Sequence, residues 1–355
     1  MTGKSATIEV HLVDKITSNP YLQLFQEALT AAGVAVARRE FASIAFEQVG
    51  DGVRVLHLHW PYTLYSAESR GEQESKLKAV INILRCARRS GWKIVWTVHN
   101  VIRHDPIFVE TENAAVAEFV AISDQLICHC ETSAKTMTDR FGAPRSSITV
   151  APHPHFADAY PAPPTRSVAR ARLGLHQSRF ILLAFGMVRG YKGLTSLIDL
   201  MSAEVSPDYL LIVAGEPGRG ADIADLVRRA GQRPNMMLKF EHIPSETVSV
   251  LFAAANAAVL PYHGVTTSGV AVLAHSLGRA VIAPHTGCLP EDIPPGTGIL
   301  YPPGCRAGLE QAIKSLTWES ADEMGKTGRS NILTRTWGNM AKTLIDVYGK
   351  ISVPT

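Results

Sequence analysis

The sequence predicts an α/β protein built from two doubly wound domains in tandem, and three observations support this prediction. The chain has 355 residues, which is too long for one compact core. Strand-like segments alternate with helical segments along both halves, which is typical of a parallel sheet covered by helices on both faces. A proline-rich stretch without periodicity, HPHFADAYPAPPTR (153–166), interrupts the alternation, and the pattern then starts again.

Residue types and periodicity place the elements of the first half. The segment ATIEVHLV (6–13) is rich in β-forming residues, and PYLQLFQEALTAAG (20–33) has a helical period and ends in glycine. Further strands are predicted at 54–60, 93–100, 125–130 and 147–153. Helices are predicted between them at 74–91, 113–123 and 133–142. We therefore expect a first domain at residues 1–155.

The same alternation resumes after the proline-rich stretch and predicts a second domain at residues 165–335. Its strands are expected at 179–186, 209–217, 236–243, 257–262 and 280–285. Its helices are expected at 195–205, 222–231, 245–255 and 267–278, and the tail from Gly308 onward is mostly helical. In sheets of this kind, ligands bind at the carboxyl ends of the strands, and pockets are common where two domains face each other.

Composition excludes several classes of protein. The formal net charge of +3 is too weak for a typical nucleic-acid-binding surface. No stretch reaches about 18 apolar residues, and the N-terminus MTGKSATIEVHLV lacks a signal-peptide core, so a cytoplasmic protein without a membrane span is expected. Cys128, His129 and Cys130 do not have the spacing of a structural zinc site, and no metal or other cofactor is predicted.

One helical segment is basic as well as amphipathic. The segment SKLKAVINILRCARRSGWK (75–93) places six cations beside apolar residues: Lys76, Lys78, Arg85, Arg88, Arg89 and Lys93. Such a helix either covers a sheet and exposes a solvated face, or lies on an anionic membrane at the inner face of the cell. The first interpretation is favoured, and a lipid-linked substrate would favour the second.

Two cations follow a predicted strand in GMVRGYKGL (186–194). Gly186 ends the strand, so Arg189 and Lys192 fall at its carboxyl end. Arginine offers a planar fork for phosphate oxygens, lysine a mobile point charge, and glycines let a backbone approach a ligand closely. The pattern indicates a diphosphate site, and the alternative is a surface turn with solvated cations.

A second anion signal follows a later strand of the same domain. Thr266, Thr267, Ser268 and Gly269 precede an apolar helix, whose N-terminus would present free N–H groups and a positive dipole end. The alternative is plain N-capping by Thr or Ser. Because both motifs fall at strand carboxyl ends within one domain, together they favour one shared phosphate site.

These motifs resemble those of glycosyltransferases of the GT-B fold, in the large family-4 group. The resemblance covers Gly186, Arg189, Lys192 and Gly193, then VAGEP (213–217) and LPYHGVTTSGVAVLAHSLGRAVIAPHTGCLPE (260–291). It implies two Rossmann-like domains facing across a cleft, with a last helix at 336–355 that packs back on the first domain.

The resemblance also implies a donor site in the second domain. A nucleotide-sugar would have its diphosphate bound by Arg189 and Lys192 on one side and by the helix start at Thr267, Ser268 and Gly269 on the other. The nucleotide base would lie beside the backbone of Glu241, His242 and Ile243.

The sequence departs from the family pattern at two positions. Family members usually carry glutamates that contact the donor sugar and the ribose, where this chain has Thr266 and Ala274. Glu216 and His275 are candidates to replace them. Bacterial exopolysaccharide β-mannosyltransferases of the xanthan type share this loss and the form P-Y-x-x-V-x-T-S-G (261–269). The resemblance therefore favours an inverting enzyme that uses GDP-mannose.

Histidines and aromatic residues follow two strands of the first domain. His59 and Trp60 end the segment LHLHW, and His99 and Asn100 end TVHN. These residues either line the acceptor side of a cleft or are satisfied core residues. The resemblance places His99 near the donor sugar. Asn19, at the end of the loop that follows the first strand, is a further candidate for contact with the acceptor.

An inverting transfer needs a general base for the acceptor hydroxyl. Asp14, in the loop after the first strand, and Asp105 are the carboxylate candidates, with His99 as a third. Arg189, Lys192 and the helix start can stabilise the leaving diphosphate without a metal ion.

The predicted function is a metal-independent hexosyltransferase of bacterial polysaccharide synthesis. It would move a hexose, mannose being favoured, from a nucleotide-sugar to a glycan or to a polyprenyl-diphosphate-linked oligosaccharide. Two other classes share the same features. A sugar-nucleotide 2-epimerase has the same architecture but needs no acceptor, and a non-catalytic nucleotide-sugar-binding protein would account for the missing carboxylates.

Overall fold

The computed structural model describes residues 7–14, 19–46, 52–203 and 208–352. The chain divides into two compact units. The first unit comprises residues 1–153 and 336–355, and the second unit comprises residues 154–335. The first unit thus ends at His153, two residues before the expected boundary, and the rest of the proline-rich stretch, 154–166, belongs to the second unit.

The first unit contains a parallel sheet of six strands covered by helices. The strands are β1 (Ile8–Leu12), β2 (Ala35–Arg38), β3 (Val53–Leu58), β4 (Lys93–Val98), β5 (Gln125–Cys128) and β6 (Ile148–Val150). Their order in the sheet is β2-β1-β3-β4-β5-β6. The helices are α1 (Pro20–Ala31), α2 (Tyr62–Tyr65), α3 (Arg70–Arg89), α4 (Val109–Ile122), α5 (Glu131–Phe141) and, from the end of the chain, α14 (Trp337–Ser352).

The second unit repeats this plan. Its strands are β7 (Phe180–Phe185), β8 (Tyr209–Ala214), β9 (Met236–Lys239), β10 (Ala257–Val259), β11 (Ala280–Pro284) and β12 (Gly298–Tyr301), in the order β12-β11-β10-β7-β8-β9. Its helices are α6 (Arg166–Arg172), α7 (Leu194–Ala203), α8 (Ile223–Ala230), α9 (Ser245–Ala254), α10 (Gly269–Ser276), α11 (Leu289–Asp292), α12 (Arg306–Ser315) and α13 (Trp318–Ile332).

Local sequence signals start and stop the helices. Asn19 caps α1 because its side-chain oxygen accepts a hydrogen bond from the Tyr21 N–H at 2.9 Å, and Pro20 occupies the first helical position. Helix α5 ends at Gly142, which adopts a left-handed conformation (φ 69°). The first signal sets where α1 begins, and the second sets where α5 ends.

Each sheet is the centre of its own hydrophobic core. Leu56 on β3 and Ile94 on β4 are fully buried, as are Leu182 on β7 and Leu211 on β8. All strand pairs in both sheets are parallel, so helices must cover both faces. The predicted α/β class with two doubly wound sheets is confirmed.

The elements that the sequence analysis missed are short and mostly peripheral. Strands β2 and β12 lie at sheet edges, and the outer residues of β2, Ala35 and Arg38, are exposed. Helices α6 and α11 are also short. Edge segments of this kind bury few side chains, so they leave a weak periodic signal. In the described part of the chain, no helix combines the length and the apolar character needed to cross a membrane.

Candidate functional site

The second unit brings three strand ends together at one edge of its sheet. Strands β10, β7 and β8 are neighbours and parallel, so the loops that follow them lie side by side. These loops contain residues 186–193, 215–218 and 260–268, which include most of the residues assigned to the diphosphate. The order of the strands in the sheet therefore brings the two predicted phosphate-binding segments, 186–193 and 266–269, to the same edge.

Glycines let these loops touch backbone to backbone. A Cβ on Gly215 would lie 2.3 Å from the Gly186 carbonyl oxygen, and one on Gly193 would lie 2.0 Å from the Pro261 oxygen. Both distances are far below any real carbon contact, so a larger residue would push the loops apart. The Val188 N–H also donates to the Glu216 carbonyl at 2.8 Å.

The loop after β10 is held from its other side by the loop after β11. A Cβ on Gly287 would lie 2.1 Å from the Val265 carbonyl oxygen, and the Cys288 N–H donates to the Thr266 carbonyl at 2.7 Å. Thr267 is half-buried near the end of the loop that follows β10. The start of α10 is consequently fixed before any ligand binds.

Lys192 is a buried cation at this edge, with 6% of its surface exposed. Its Nζ donates a hydrogen bond to the Phe185 carbonyl at 3.2 Å and lies 5.6 Å from the centre of the Tyr262 ring. Burial, with a further contribution from Arg189, lowers the pKa of Lys192 to about 7. An anion at this place would stabilise the charged ammonium.

Arg189 is only partly buried, beside Lys192. Its Nε lies 3.1 Å from the Met187 sulfur, and its side-chain stem passes Gly218, where a Cβ would lie 2.8 Å from Arg189 Cγ. Gly218 therefore leaves room for the stem. Two cations at one strand end match the chemistry of a diphosphate, whose two phosphates each carry negative charge.

Helix α10 begins directly after the loop that follows β10. Ser268 is its N-cap, and its hydroxyl accepts from the Ala271 N–H at 3.3 Å. Ser268 is therefore an N-cap, as the alternative interpretation of this segment expected. Gly269, at the first helical position, is exposed. The positive end of the helix dipole adds to the field of the two cations.

The residues assigned to the nucleotide lie next to this edge. Glu216 is exposed just after β8. Glu241 and His242 are exposed after β9, Glu241 with its carboxylate 4.0 Å from the Lys239 ammonium, and Ile243 is buried.

The two candidates for replacing the missing carboxylates have different surroundings. Ala274 is fully buried, and the neighbouring His275 is packed against α13, because a Cβ on Gly328 would lie 2.3 Å from His275 Nδ1. His275 is therefore a packing residue. Glu216 is the exposed carboxylate that remains.

The first unit collects histidines from the carboxyl ends of four adjacent strands. The rings form a continuous row in which neighbouring ring centres are 4.6, 5.4, 5.2 and 5.0 Å apart. The row runs through His57, His59, His99, His129 and His153, all buried. Tyr21 on α1 lies against four of them, all except His57.

His59 and His99 were predicted from the sequence as candidate site residues, whereas His129, His153 and Tyr21 were not, although their rings lie in or against the same row. His129 follows β5 as His99 follows β4, so the same signal, a histidine at a strand end, could have found it. In the described residues, no three His, Cys, Asp or Glu side chains are arranged to hold a metal ion.

Asp14 lies at the end of β1 and reaches the end of β3. Its Oδ1 accepts a hydrogen bond from the Trp60 N–H at 2.7 Å. Burial raises the pKa of Asp14 to about 6, against the lowering effect of the backbone hydrogen bonds from Trp60 and His59. A carboxyl group that titrates near neutral pH is suited to general-base work.

The other predicted acceptor-side residues are less enclosed. Asp105 is exposed and has a positive φ of 55°, which is uncommon outside glycine. Asn100 is half-buried after β4. The Asn19 side chain is used as the cap of α1, and residues 15–18 of the same loop lie outside the described residues.

Comparison with known proteins identifies the class. Residues 179–318 match the family described as glycosyl transferases group 1. The GDP-mannose:glycolipid 4-beta-D-mannosyltransferase of Xanthomonas campestris pv. campestris is 27% identical over 288 residues, which cover 80% of this chain and 76% of the relative. The D-inositol 3-phosphate glycosyltransferase of Gordonia bronchialis is 26% identical over 246 residues, 64% of this chain and 52% of the relative.

Solved structures agree on the fold. Sucrose-phosphate synthase from Thermosynechococcus elongatus superimposes with a TM-score of 0.73 at 18% identity, over 98% of this chain and 99% of that one. Anabaena HepE, solved with UDP and glucose, gives 0.73 at 15% identity, over 96% and 99%. The chain has the GT-B fold, and residues 179–318, within its second unit, match the group 1 glycosyltransferase family. The protein is accordingly a glycosyltransferase, as the sequence motifs predicted.

Proposed function

We propose that the protein transfers mannose from GDP-mannose to a glycolipid acceptor, with inversion at the sugar. The observation that carries the donor site is the buried Lys192 ammonium beside Arg189, at the edge where three loops and the start of α10 meet. The choice of GDP-mannose rests on the P-Y-x-x-V-x-T-S-G segment and on the similarity to the Xanthomonas mannosyltransferase.

The leaving group of this reaction is a nucleoside diphosphate, which gains negative charge as the glycosidic bond breaks. Arg189, Lys192 and the N-terminus of α10 are fixed in advance by the glycine contacts, so they can stabilise that charge with little reorganisation. Three positive groups fulfil the role that a divalent ion has in other enzymes, and we therefore propose a transfer without a metal.

Inversion requires the acceptor hydroxyl to lose its proton as it attacks the sugar. We propose Asp14 as the general base, because its carboxyl group is held by the Trp60 N–H and its pKa is raised to about 6. Such a group is mostly ionised at pH 7 yet basic enough to accept a proton in the transition state. Asp105 is the second candidate and has the disadvantage that its side chain is exposed to solvent.

A glycolipid acceptor would place the enzyme at the inner face of the membrane. Helix α3 offers the basic face, although four of its cations are paired: Arg70 with Glu74, Lys76 with Glu72, Arg85 with Glu118 and Arg88 with Asp124. This pairing limits the charge available for anionic lipids, so we propose a weak and salt-sensitive peripheral contact. Sedimentation with vesicles that contain phosphatidylglycerol, at low and high salt, tests it.

The first test is thermal stabilisation by GDP, UDP, ADP, GDP-mannose, UDP-glucose and UDP-glucuronate. Binding to the native state raises Tm, so GDP and GDP-mannose should produce the largest shifts. Arg189→Ala and Lys192→Ala should each reduce them. Wild-type binding in both variants would remove the diphosphate assignment, and a larger shift with UDP forms would overturn the choice of donor.

The second test is turnover. Purified protein with GDP-mannose should form a mannosylated product only when a lipid-linked oligosaccharide acceptor is present. Release of the C2 epimer of the sugar, glucose in the case of GDP-mannose, without any acceptor would instead indicate an epimerase. Binding of GDP-mannose without any turnover, over a panel of acceptors, would indicate a non-catalytic binding protein.

A further inference from the structure

Four arginines of the second unit collect where the strands of its sheet begin, at the edge opposite the proposed donor site. Arg170 Nε donates to the Ala254 carbonyl at 3.0 Å, and Arg279 Nη1 donates to the Ala255 carbonyl at 3.1 Å, just before β10. The other two arginines lie close enough to repel the Arg279 charge. This arginine cluster consists of Arg166 and Arg170 from α6, Arg279 from the turn before β11, and Arg329 from α13.

The negative charge around the arginine cluster does not balance it. In the described part of the chain, Asp322 is the one carboxylate that pairs with the cluster, through two hydrogen bonds from Arg166. Helices α9 and α10 end beside it, and their last carbonyls accept from Arg170 and Arg329. Each helix end adds roughly half an elementary negative charge. The cluster therefore keeps an excess of about two positive charges.

Two of these arginines are withdrawn from water. Arg170 is fully buried, and Arg279 is half-buried. Burial, together with repulsion from Arg166, lowers the pKa of both guanidinium groups to about 10. Both groups are still charged at neutral pH, but their surroundings disfavour that charge. The protein around them therefore leaves their positive charge incompletely compensated.

Two buried N–H groups of the same place have no acceptor among the described residues: those on Arg166 Nε and Asn256 Nδ2. The Asn256 amide cannot be turned over to remove this defect. Its Oδ1 already accepts from Arg170 Nη2 and from the Ile181 N–H, both at 2.8 Å. Buried donors without acceptors are uncommon in native proteins. This edge of the sheet thus needs acceptor atoms as well as negative charge.

We propose that the arginine cluster, together with Asn256, binds an oxyanion of the phosphate class. A phosphate group supplies up to two negative charges and several acceptor oxygens, and guanidinium groups bind such oxygens through paired N–H groups. A water molecule would satisfy the two donors but would leave the excess charge in place. This anion site is separate from the proposed donor site and does not depend on the transfer reaction.

The arginines are held in position, and the cluster reaches the surface. The Trp318 ring centre lies 5.6 Å from Arg166 Cζ and 4.8 Å from Arg170 Cζ, so one ring packs against both guanidinium groups. The side chains of Arg166 and Asp322 are 24% and 40% exposed. An anion can therefore enter beside this ion pair and meet arginines that are already ordered.

The test is thermal unfolding of the whole protein without nucleotide. Millimolar inorganic phosphate should raise Tm by about 2–4 °C and then saturate, whereas sodium chloride of equal ionic strength should not. Glycerol 3-phosphate is tested in parallel, and a larger shift with it would support the site with a phosphorylated molecule as its ligand. A shift that rises without saturation would be a general salt effect and would overturn the proposal.

The proposed donor site also suits phosphate, so a double variant separates the two sites. Arg189→Ala combined with Lys192→Met removes both donor-side cations, and the phosphate shift should remain. Loss of the shift in this variant would assign it to the donor side and contradict the second site. Because the readout is binding of phosphate alone, it does not depend on whether the protein transfers mannose.

Asn256→Asp tests the cluster itself. The carboxylate keeps the shape of the amide and both hydrogen bonds to Oδ1, but it replaces the unpartnered N–H donors by a charged acceptor. We expect a higher Tm without phosphate and no further shift with it. Asn331→Asp, the same change at an exposed position of α13, should respond to phosphate like the wild type.

Arg279→Gln is a second variant of the cluster. The glutamine amide can still donate to the Ala255 carbonyl, while one positive charge is lost. Several times more phosphate should then be needed for the same shift in Tm. A wild-type response to phosphate in both Asn256→Asp and Arg279→Gln would overturn the proposal.

Discussion

The Lys192 ammonium lies directly against Gly186: a Cβ at that glycine would be 2.9 Å from Lys192 Nζ. Gly186 also has a φ of 94°, which side-chain-bearing residues rarely adopt. The glycine that ends β7 therefore does two things. It turns the chain toward the loop, and it leaves the space that the buried ammonium occupies.

Gly186→Ala should weaken binding of GDP-mannose and lower stability by about 1–3 kcal/mol, because it adds backbone strain and displaces Lys192. Calorimetric titration and thermal unfolding measure the two effects. Gly190→Ala in the same loop is the control, since a Cβ there meets nothing within 4 Å. Equal binding by both variants would show that the Lys192 position does not matter.

Gly218→Ala should act on the other cation. The added Cβ would lie 2.8 Å from Arg189 Cγ and 2.9 Å from the Val188 carbonyl oxygen, so the arginine must move. We expect donor affinity to fall roughly tenfold, which corresponds to about 1.4 kcal/mol. Gly264→Ala, with open space around its Cβ, should bind like the wild type. Unchanged affinity in Gly218→Ala would show that Arg189 does not contact the donor.

Donor binding should take up a proton above neutral pH. Lys192 has a pKa lowered to about 7 in the free protein, and a bound diphosphate raises it by stabilising the ammonium. Affinity for GDP-mannose, whose diphosphate diester does not titrate here, should fall as pH rises above 7, by up to about tenfold per unit. Calorimetry at pH 8 in buffers of different ionisation enthalpy should show uptake of nearly one proton.

Proton uptake at a lower pH and in a lysine variant provides two controls for this prediction. At pH 6, Lys192 is about nine-tenths charged before binding, so only about 0.1 proton should be taken up. Lys192→Met should bind more weakly and show no uptake at either pH. Zero uptake by the wild-type protein at pH 8 would mean that the diphosphate does not reach this ammonium.

The buried histidines should make the first unit sensitive to acid. Burial lowers the pKa of His57 to about 3 and holds those of His59 and His99 well below 6.5. The unfolded chain therefore binds more protons, so stability is full above 6.5 and falls as pH decreases. Asp14 has the opposite effect on stability. Because its pKa is raised in the folded state, its contribution to stability increases as the pH decreases from 6 to 4.

Burial lowers the pKa of His11 as well, so four histidines of the first unit oppose one carboxyl group, and stability should fall as the pH decreases through that interval. Urea unfolding at pH 7.5, 6 and 5 measures it. His57→Phe should lower stability at pH 7.5, because the Tyr348 and Thr97 hydroxyls lose their partner, yet it should reduce the slope. The exposed His176→Asn is the control. A slope identical in wild type and His57→Phe would show that His57 is protonated in the folded state.

Asp14→Asn should reduce transfer without reducing donor affinity. The amide oxygen can still accept from the Trp60 N–H, so the loop stays in place while the basic group is lost. A missing general base costs about 10²–10⁴ in rate. Steady-state kinetics with a lipid-linked acceptor measure kcat, and Asp105→Asn is the comparison. A larger loss in Asp105→Asn would assign the base to that residue instead.

The two proposed donor-side cations were the most predictable part of the candidate site. GMVRGYKGL could be interpreted from its residue types, because glycines, an arginine and a lysine at a strand end suit a phosphate ligand. The placement of Arg189 and Lys192 at a carboxyl end followed from the strand prediction alone. The sequence did not reveal that Lys192 is buried, and that burial is what lowers its pKa.

The histidine row was only partly predictable. His57 and His153 are far apart in sequence and join one row because β3, β4, β5 and β6 are neighbours in the sheet. No local pattern specifies that order. The edge strands β2 and β12 were missed for a different reason, since exposed edges need little apolar periodicity.

The α/β class, the positions of most strand ends and the kinds of side chain at those ends follow from the sequence alone, because hydrophobic periodicity and glycine chemistry are local. Tertiary structure set which strand ends are neighbours and which cations and imidazoles are buried. These properties depend on desolvation and on contacts between distant segments, so they arise only when the sheets form.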